Sequence, residues 1–536
     1  MHYRLLQYLL LLSAAFLLIL LARRVKIAYP IFLVLAGLAI SFIPGMPVIN
    51  IEPDLIFLIF LPPLLYEAAW WTSWNDFWKW KRPIALLAFG LVFFTSTVVA
   101  YLTSSFIPGF TLATGFLLGG IISPPDAIAA SSVLKGIKVP KRITTILEGE
   151  SLVNDASSLT VFRFALAAVV TAGGFSFQEA AISFVTVTVM GIVVGLVVAH
   201  IVYLIHRFLP TTASIDSAFT IISPYLMYLA AEEFHFSGVM AVVSGGLFLS
   251  YRSHEIFSDG QSRLQTINVW ATLSIILNGL VFVMIGLGLP TIVAGLGDYS
   301  LAQAWTYGLL VSALVILIRL IWIYPGTFIP RWLFKKVRKN EAPPGWKGVF
   351  VIGWAGMRGV VSLAAALSLP LTLDNGQPMP ERNLIIFITF VVILVTLVFQ
   401  GLTLPFIIKA LKIKEIDPMM PEEQQETEIR LRLTKVALKQ LEDKHQAELE
   451  QNALLLGVKV DLENHLKHNH LKLDCMDCAV RDQQELHVYK RVLKDIYHVQ
   501  RSELFHIRKE KNYSDEAIRS EEMQVDIAEV KISDRQ

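Results

Sequence analysis

Cysteine is almost missing from this chain. Only Cys475 and Cys478 occur among 536 residues, so disulfide stapling does not hold the fold together. Charge is scarce as well: Asp, Glu, Lys and Arg make up 17% of the sequence, against about 25% in an average soluble domain. There is no GxxxxGK[ST] phosphate loop, which leaves ATP without a visible role as a driving force. Neither H-E-x-x-H nor G-x-S-x-G occurs, and no Arg-rich voltage-sensor helix or repeated selectivity-filter loop is present. Nothing in the sequence calls for a catalytic domain, a cofactor or a nucleic-acid partner. Trp70, Trp71, Trp74, Trp78 and Trp80, with Lys79, Lys81 and Arg82, read as an interfacial aromatic belt and not as a base-stacking platform.

What the chain has in excess is apolar sequence. It is 54% hydrophobic with a mean hydropathy of +0.56, which predicts an all-α polytopic membrane protein. Windows long enough to cross the hydrocarbon layer, about 20 residues each, fall near 5–22, 27–43, 53–71, 83–103, 111–134, 146–172, 178–205, 215–232, 236–250, 267–289, 301–324, 346–370 and 384–408. That gives about 13 spans in a transmembrane domain over 1–410, followed by a polar, charge-dense and mainly helical tail over 411–536. The first window is followed by Arg23, Arg24 and Lys26 with no small-x-small cleavage site, so it reads as a retained span. Alternate loops carry about 19 basic residues on one side and 2 on the other, Arg4 and Arg382. The basic side is expected to be cytoplasmic, with the N-terminus outside and the tail inside a cell membrane.

Two spans are interrupted. The fifth contains Gly119-Gly120-Ile121-Ile122-Ser123-Pro124-Pro125-Asp126, and adjacent prolines cannot continue a helix ladder. The twelfth contains Gly353-Trp354-Ala355-Gly356-Met357-Arg358-Gly359. Irregular backbone at membrane depth is tolerated where it lines a cavity or is buried in protein. The two spans lie seven apart and so run in opposite directions. With the seventh span as a linker, each is fifth in its group of six, the pattern of inverted repeats whose broken helices cross at a midplane substrate site.

Between the breaks lies the sixth span, with Glu148, Glu150 and Asp155 in its first half. A charge at bilayer depth costs several kcal/mol, so these residues are expected to face protein or a water-filled cavity. Ser151 and Asp155 sit four apart and share a face, whereas Glu150 lies about 140° round the helix from Asp155. Hydroxyl and carboxylate oxygens suit a hard cation, and the carboxylate also suits a proton. Glu67, after Pro62-Pro63, faces the same cavity or caps its span beside Trp70 and Trp71. Asn278 and Arg319 read as contacts between helices. In the tail, 421–452 has the spacing of an amphipathic helix, and 480–530 is helical again with 512–516 as a turn and cap. His465, His468 and His470 before Cys475 and Cys478 form a weak zinc pattern that a solvated helix explains as well.

Over about 5–410 the chain resembles the sodium/proton exchanger family, including NhaP-type prokaryotic antiporters. The resemblance rests chiefly on Glu148-Gly149-Glu150-Ser151-Leu152-Val153-Asn154-Asp155. Supporting stretches are Ile121–Ala127, Ser237–Val243, Asn278–Phe282 and Met357–Leu363. It implies that Asp155 carries the cation or the proton and that Asn154 supports it where electrogenic relatives have a second acid. It further implies that Ser151 and Ser123 add ligands, and that Glu150 pairs with Arg358. A homodimer is implied too, with spans four to six and eleven to thirteen moving against a dimer scaffold. Glu67 matches only loosely an acid of some prokaryotic members. One departure is that Asp126 comes two positions later than the family's Asp, so it either contributes to the cavity or caps the returning half-helix. The expected function is electroneutral 1:1 exchange of Na⁺, or K⁺ or Li⁺, for H⁺, contributing to intracellular pH and sodium homeostasis. The alternatives are a cation-selective channel using the same carboxylate and an organic-anion symporter.

Overall fold

The computed structural model describes residues 2–43, 56–170, 177–257, 259–297, 299–341, 343–373, 376–413, 415, 422–474, 479–510 and 515–533. The chain divides into two compact units, Met1–Asp417 and Pro418–Gln536. Among the described residues both are helical, and the one β feature is an isolated bridge between Thr372 and Pro378.

A helix or a broken helix occupies every apolar window of the first unit. These are α1 (His2–Val25), α2 (Tyr29–Ser41), α3 (Leu61–Trp71) and α4 (Lys81–Phe106). The fifth window holds α5 (Leu112–Ile122) and α6 (Ala127–Leu134). Then come α7 (Lys141–Val170), α8 (Phe177–Phe208), α9 (Ala213–Glu233), α10 (Gly238–Tyr251), α11 (Gly260–Leu287) and α12 (Leu301–Leu333). The twelfth window holds α13 (Trp346–Trp354) and α14 (Val360–Leu367), and the last holds α15 (Arg382–Leu411). Seven of these segments are long and apolar enough to cross a membrane by length and composition alone. The close boundary between α9 and α10 is made by Ser237, whose side chain accepts from the Met240 N–H and caps α10.

Buried apolar side chains form two cores. One joins α1, α2, α4 to α7 and α11 to α15, and includes Leu117, Phe162, Phe387 and Phe390. The other joins α3 and α8 to α11, around Tyr66, Met227, Val242 and Trp270. The helix α7 contributes to both: Ile146, Leu147 and Phe162 enter the first core, Leu152, Val153 and Ala156 the second. The carboxylate-bearing helix thus sits where the two cores meet.

Irregular backbone on its neighbours takes part in further hydrogen bonds, one of them to α7 itself. A π turn at Leu86–Leu91 widens α4 and frees carbonyls from the helix ladder. The Ser157 hydroxyl donates to Ala88 O, and the Trp322 indole of α12 donates to Leu86 O at 3.3 Å. A second π turn, Val395–Gln400, interrupts α15, and there Thr396 Oγ1 accepts from the Arg358 N–H at 3.1 Å.

The second unit contains α16 (Glu422–Lys444), α17 (Ala453–Asp474), α18 (Ala479–Glu510) and α19 (Asp515–Ser533). The helix α16 packs on α17 and α18 on α19, the latter pair tied by Arg501 to Asp526 (2.6 Å) and Glu529. Cys475 and Cys478 lie outside the described residues, as do 512–514 of the expected turn.

Candidate ion site

The prolines do what their chemistry requires. After Ile122 the helix stops, Ser123–Pro125 run irregularly, and α6 restarts with Asp126 as its N-cap, Oδ1 accepting from the Ile128 N–H at 2.8 Å. In the twelfth window α13 ends at Trp354 and α14 begins at Val360, leaving Ala355–Gly359 unwound. These two breaks lie against each other. The Asp126 N–H donates to Met357 O at 2.6 Å, and Arg358 Nε donates to Ile122 O at 3.1 Å. Gly359 permits the approach, because a Cβ there would fall on the Asp126 carboxylate.

The helix α7 is clipped to this crossing by two neighbouring turns. Asn154 Nδ2 donates to Pro125 O at 2.9 Å, and Ser151 Oγ accepts from the Ala127 N–H at 3.1 Å. One face of α7 then opens on a cavity of 1660 Å³ lined by Glu148, Ser151, Leu152 and Asp155. The opposite walls bring Pro124, Pro125 and Asp126 from the first break, Gly359 from the second, Glu67 from α3, and Ser274 and Asn278 from α11. Asp155 is 7% exposed and lines this cavity, and Asn154 beside it is fully buried.

The expected site residues therefore separate. Asp155, Ser151, Asp126 and Glu67 share the cavity. Asp126 both caps α6 and lines the cavity, so its two expected roles do not exclude each other. Glu67 is half-buried and faces Ser274 of α11. Asn154 does not reach the cavity wall; its amide holds the break next to Asp155. Ser123 is also absent from the wall: its hydroxyl turns back to Gly120 O at 3.3 Å, the nearest carbonyl released at the end of α5.

The expected pairing of Glu150 with Arg358 is corrected. Glu150 binds Arg319 of α12 in a bidentate pair, with N–O distances of 2.5 and 2.7 Å, and both side chains are excluded from solvent. Arg319 also donates to Ile352 O at 3.1 Å. Arg358 is held by carbonyls instead, those of Ile122 and Gly356. The reason is local: the last carbonyls of α5 lack intrahelical partners and carry the negative end of its dipole, which suits a guanidinium. Because Arg358 is buried and does not line the cavity, it offers no binding site for an organic anion there.

Two residues of this arrangement were not among the expected site residues. Arg319 is the one charged side chain in the middle of its window, and a search for any buried partner of Glu150 would have found it. Glu148 lies seven residues before Asp155, two turns along the same stripe as Ser151. That spacing was legible and places it on the cavity wall nearer the start of α7. Replacement of Ser151 by Ala removes a neutral ligand and the acceptor of the Ala127 N–H without touching a titrating group. A loss of about 1 kcal/mol corresponds to a roughly fivefold rise in half-saturating cation concentration, with maximal rate less affected. Initial rates over a sodium series would show it, and an unchanged half-saturation would put the hydroxyl outside the cation's reach.

Comparison with known proteins places these features in a family. Residues 11–410 match the family model described as sodium/hydrogen exchanger, transmembrane. An antiporter of Bacillus subtilis, named for sodium, potassium, lithium and rubidium/H⁺ exchange, is 37% identical over 391 residues, 71% of this chain and 58% of its own length. Its Bacillus pumilus counterpart is 35% identical over 389 residues with the same coverage, so the chain spans about 58% of the length of these relatives. An uncharacterized Na⁺/H⁺ exchanger of Mycobacterium tuberculosis H37Rv is 30% identical over 525 residues, covering 96% of this chain and 93% of that one. Among solved structures, the sodium proton antiporter MjNhaP1 of Methanocaldococcus jannaschii superposes with a TM-score of 0.61 at 20% identity, covering 76% of this chain and 98% of that one. That likeness is one of fold: an all-helical bundle with several apolar helices. With the family model matching most of the chain, this multi-pass membrane protein belongs to the sodium/hydrogen exchanger family.

Proposed function

We propose that the chain is a secondary antiporter exchanging a monovalent cation for a proton, with Asp155 as the group both compete for. The observation that carries this reading is the place of Asp155. It is buried in the wall of a large cavity, on a helix hydrogen-bonded to the crossing of two broken helices. A carboxylate at that depth is costly when charged and empty, and either a cation or a proton relieves the cost. Competition for one group couples the two fluxes without a pathway between separate sites. One positive charge each way makes the cycle electroneutral, in keeping with Asn154, whose amide cannot carry a second proton.

In this reading Ser151 supplies a neutral oxygen, Asp126 and Glu67 shape the field of the cavity, and Glu148 attracts cations toward it. About 13 spans arranged as inverted repeats, with the tail cytoplasmic, accord with the loop charges and the matched breaks. Movement of α4 to α7 with α12 to α15 against the remainder belongs to the same reading. A homodimer of that remainder is part of the same proposal. The names of the Bacillus relatives support a cation range that includes Na⁺, K⁺ and Li⁺.

The test is cation-dependent dissipation of an imposed pH gradient in proteoliposomes, comparing Na⁺, K⁺, Li⁺, Rb⁺ and Ca²⁺. Monovalent cations should collapse the gradient with no net current. Current at fixed voltage without a pH gradient would indicate a channel instead. Deletion of the tail from Glu422 should leave this exchange within about twofold of the full chain per inserted molecule, since the membrane unit satisfies its own backbone. Loss of exchange in a truncated protein inserted at normal abundance would make the tail part of the transport unit.

A further inference from the structure

The cavity that Asp155 lines is also lined by cations. Arg23 lies in the last turn of α1 and Lys26 just after it, Lys135 and Lys138 follow α6, and Lys409 and Lys412 lie at the end of α15; all six line the same cavity. Each is exposed, and among the described residues none of the six makes an ion pair. Outside this cavity, Asp76 binds Lys141 Nζ at 2.9 Å, and Glu415 accepts from the Lys141 N–H at 3.1 Å.

Six cations at this mouth oppose the substrate of a cation antiporter, because a cleft with low-dielectric walls focuses the field of the charges that line it. The bias of basic residues toward one side of a membrane explains their number but not their convergence on one cavity from three separate stretches of chain. Such a cluster, built from flexible lysines and an arginine, matches an anion bearing several phosphate groups, which Lys binds as point charges and Arg through its planar fork. Of the acids on the same cavity wall, Glu148 is exposed, Glu67 and Asp126 are half-buried, and Asp155 is buried. On α7, Glu148 is about 10 Å and Asp155 about 20 Å from the first residue, Lys141, at 1.5 Å per residue. An anion is therefore held at the mouth and excluded from the neighbourhood of Asp155.

We propose that the cavity mouth binds a polyphosphorylated anion, and that the bound anion obstructs the route to Asp155. The anion is either free in solution or the headgroup of a lipid with more than one phosphate. Its effect on transport rests on the antiport reading above, whereas its binding does not.

The experiment measures binding of inorganic tripolyphosphate to the full chain in phosphatidylcholine nanodiscs by titration calorimetry. Saturable binding is expected, weakened at least tenfold by the combined change Lys135→Gln, Lys409→Gln and Lys412→Gln. The change Lys335→Gln, Arg338→Gln and Lys339→Gln, at basic residues outside the cavity, should leave it within twofold. Nanodiscs doped with cardiolipin separate the sources: competition by the lipid identifies a headgroup site, and its absence a site for a free anion. No saturable binding, or equal weakening by the two triple changes, would overturn the proposal. Tripolyphosphate inside proteoliposomes should also slow gradient dissipation several-fold in the original chain and not in the Lys135, Lys409, Lys412 variant. Binding without any exchange to inhibit would count against the antiport reading alone, and binding that leaves an active exchanger at full rate would remove the obstruction.

Discussion

Asp155→Asn abolishes cation-dependent proton movement, bringing it to the rate of protein-free vesicles, while folding and insertion persist. The amide keeps the shape of the side chain and loses both the negative charge and the titration. Asp155 makes no ion pair among the described residues, so neutralising it leaves no opposite charge stranded in the bilayer. Its backbone carbonyl still accepts from the Ser158 hydroxyl at 3.1 Å. Removing a buried charge costs the fold little when that charge has no partner. Reconstituted vesicles with matched protein content provide the measurement. Residual sodium-driven proton flux near the original rate would take Asp155 out of the centre of the mechanism and direct attention to Asp126, the other carboxylate at the crossing.

The opposite outcome is expected for Glu150, five residues away. Glu150→Gln or Arg319→Gln leaves one charge without its partner in a site closed to solvent, and breaking a buried pair from one side typically costs about 3–5 kcal/mol. Either change should lower the yield of folded protein and its melting temperature in detergent. The double change should recover a large part of the loss, because no uncompensated charge remains. Arg319 also donates to Ile352 O, so the recovery should be incomplete. Simple addition of the two losses in the double variant would show that the residues do not act as a pair. Arg358→Gln combined with Glu150→Gln is the control: Arg358 is held by carbonyls, so that combination should show no recovery.

These two residues mark the division between what the sequence determined and what the tertiary structure decided. The helical wheel put Glu150 on a different face from Asp155, and this is what the fold has: Asp155 lines the cavity and Glu150 does not. The apolar windows, the break at Pro124-Pro125 and the unwinding around Gly356–Gly359 were legible for the same reason. Helical periodicity, the missing proline N–H and the cost of charge in a bilayer act within a few residues of their source. Partner choice does not. Which arginine meets Glu150 depends on α12 lying beside α7, and resemblance pointed to Arg358, which the broken ends of α5 and α13 hold instead. Ser123 was legible as a polar residue at a break, but its rotation toward Gly120 O follows from which carbonyls the break releases. The gathering of Glu67, Glu148 and Asn278 with Asp155 around one cavity joins α3, α7 and α11, elements distant along the chain. Local rules position each of these polar groups on its own helix, and only the packing of helices against one another sets which of them face the same water.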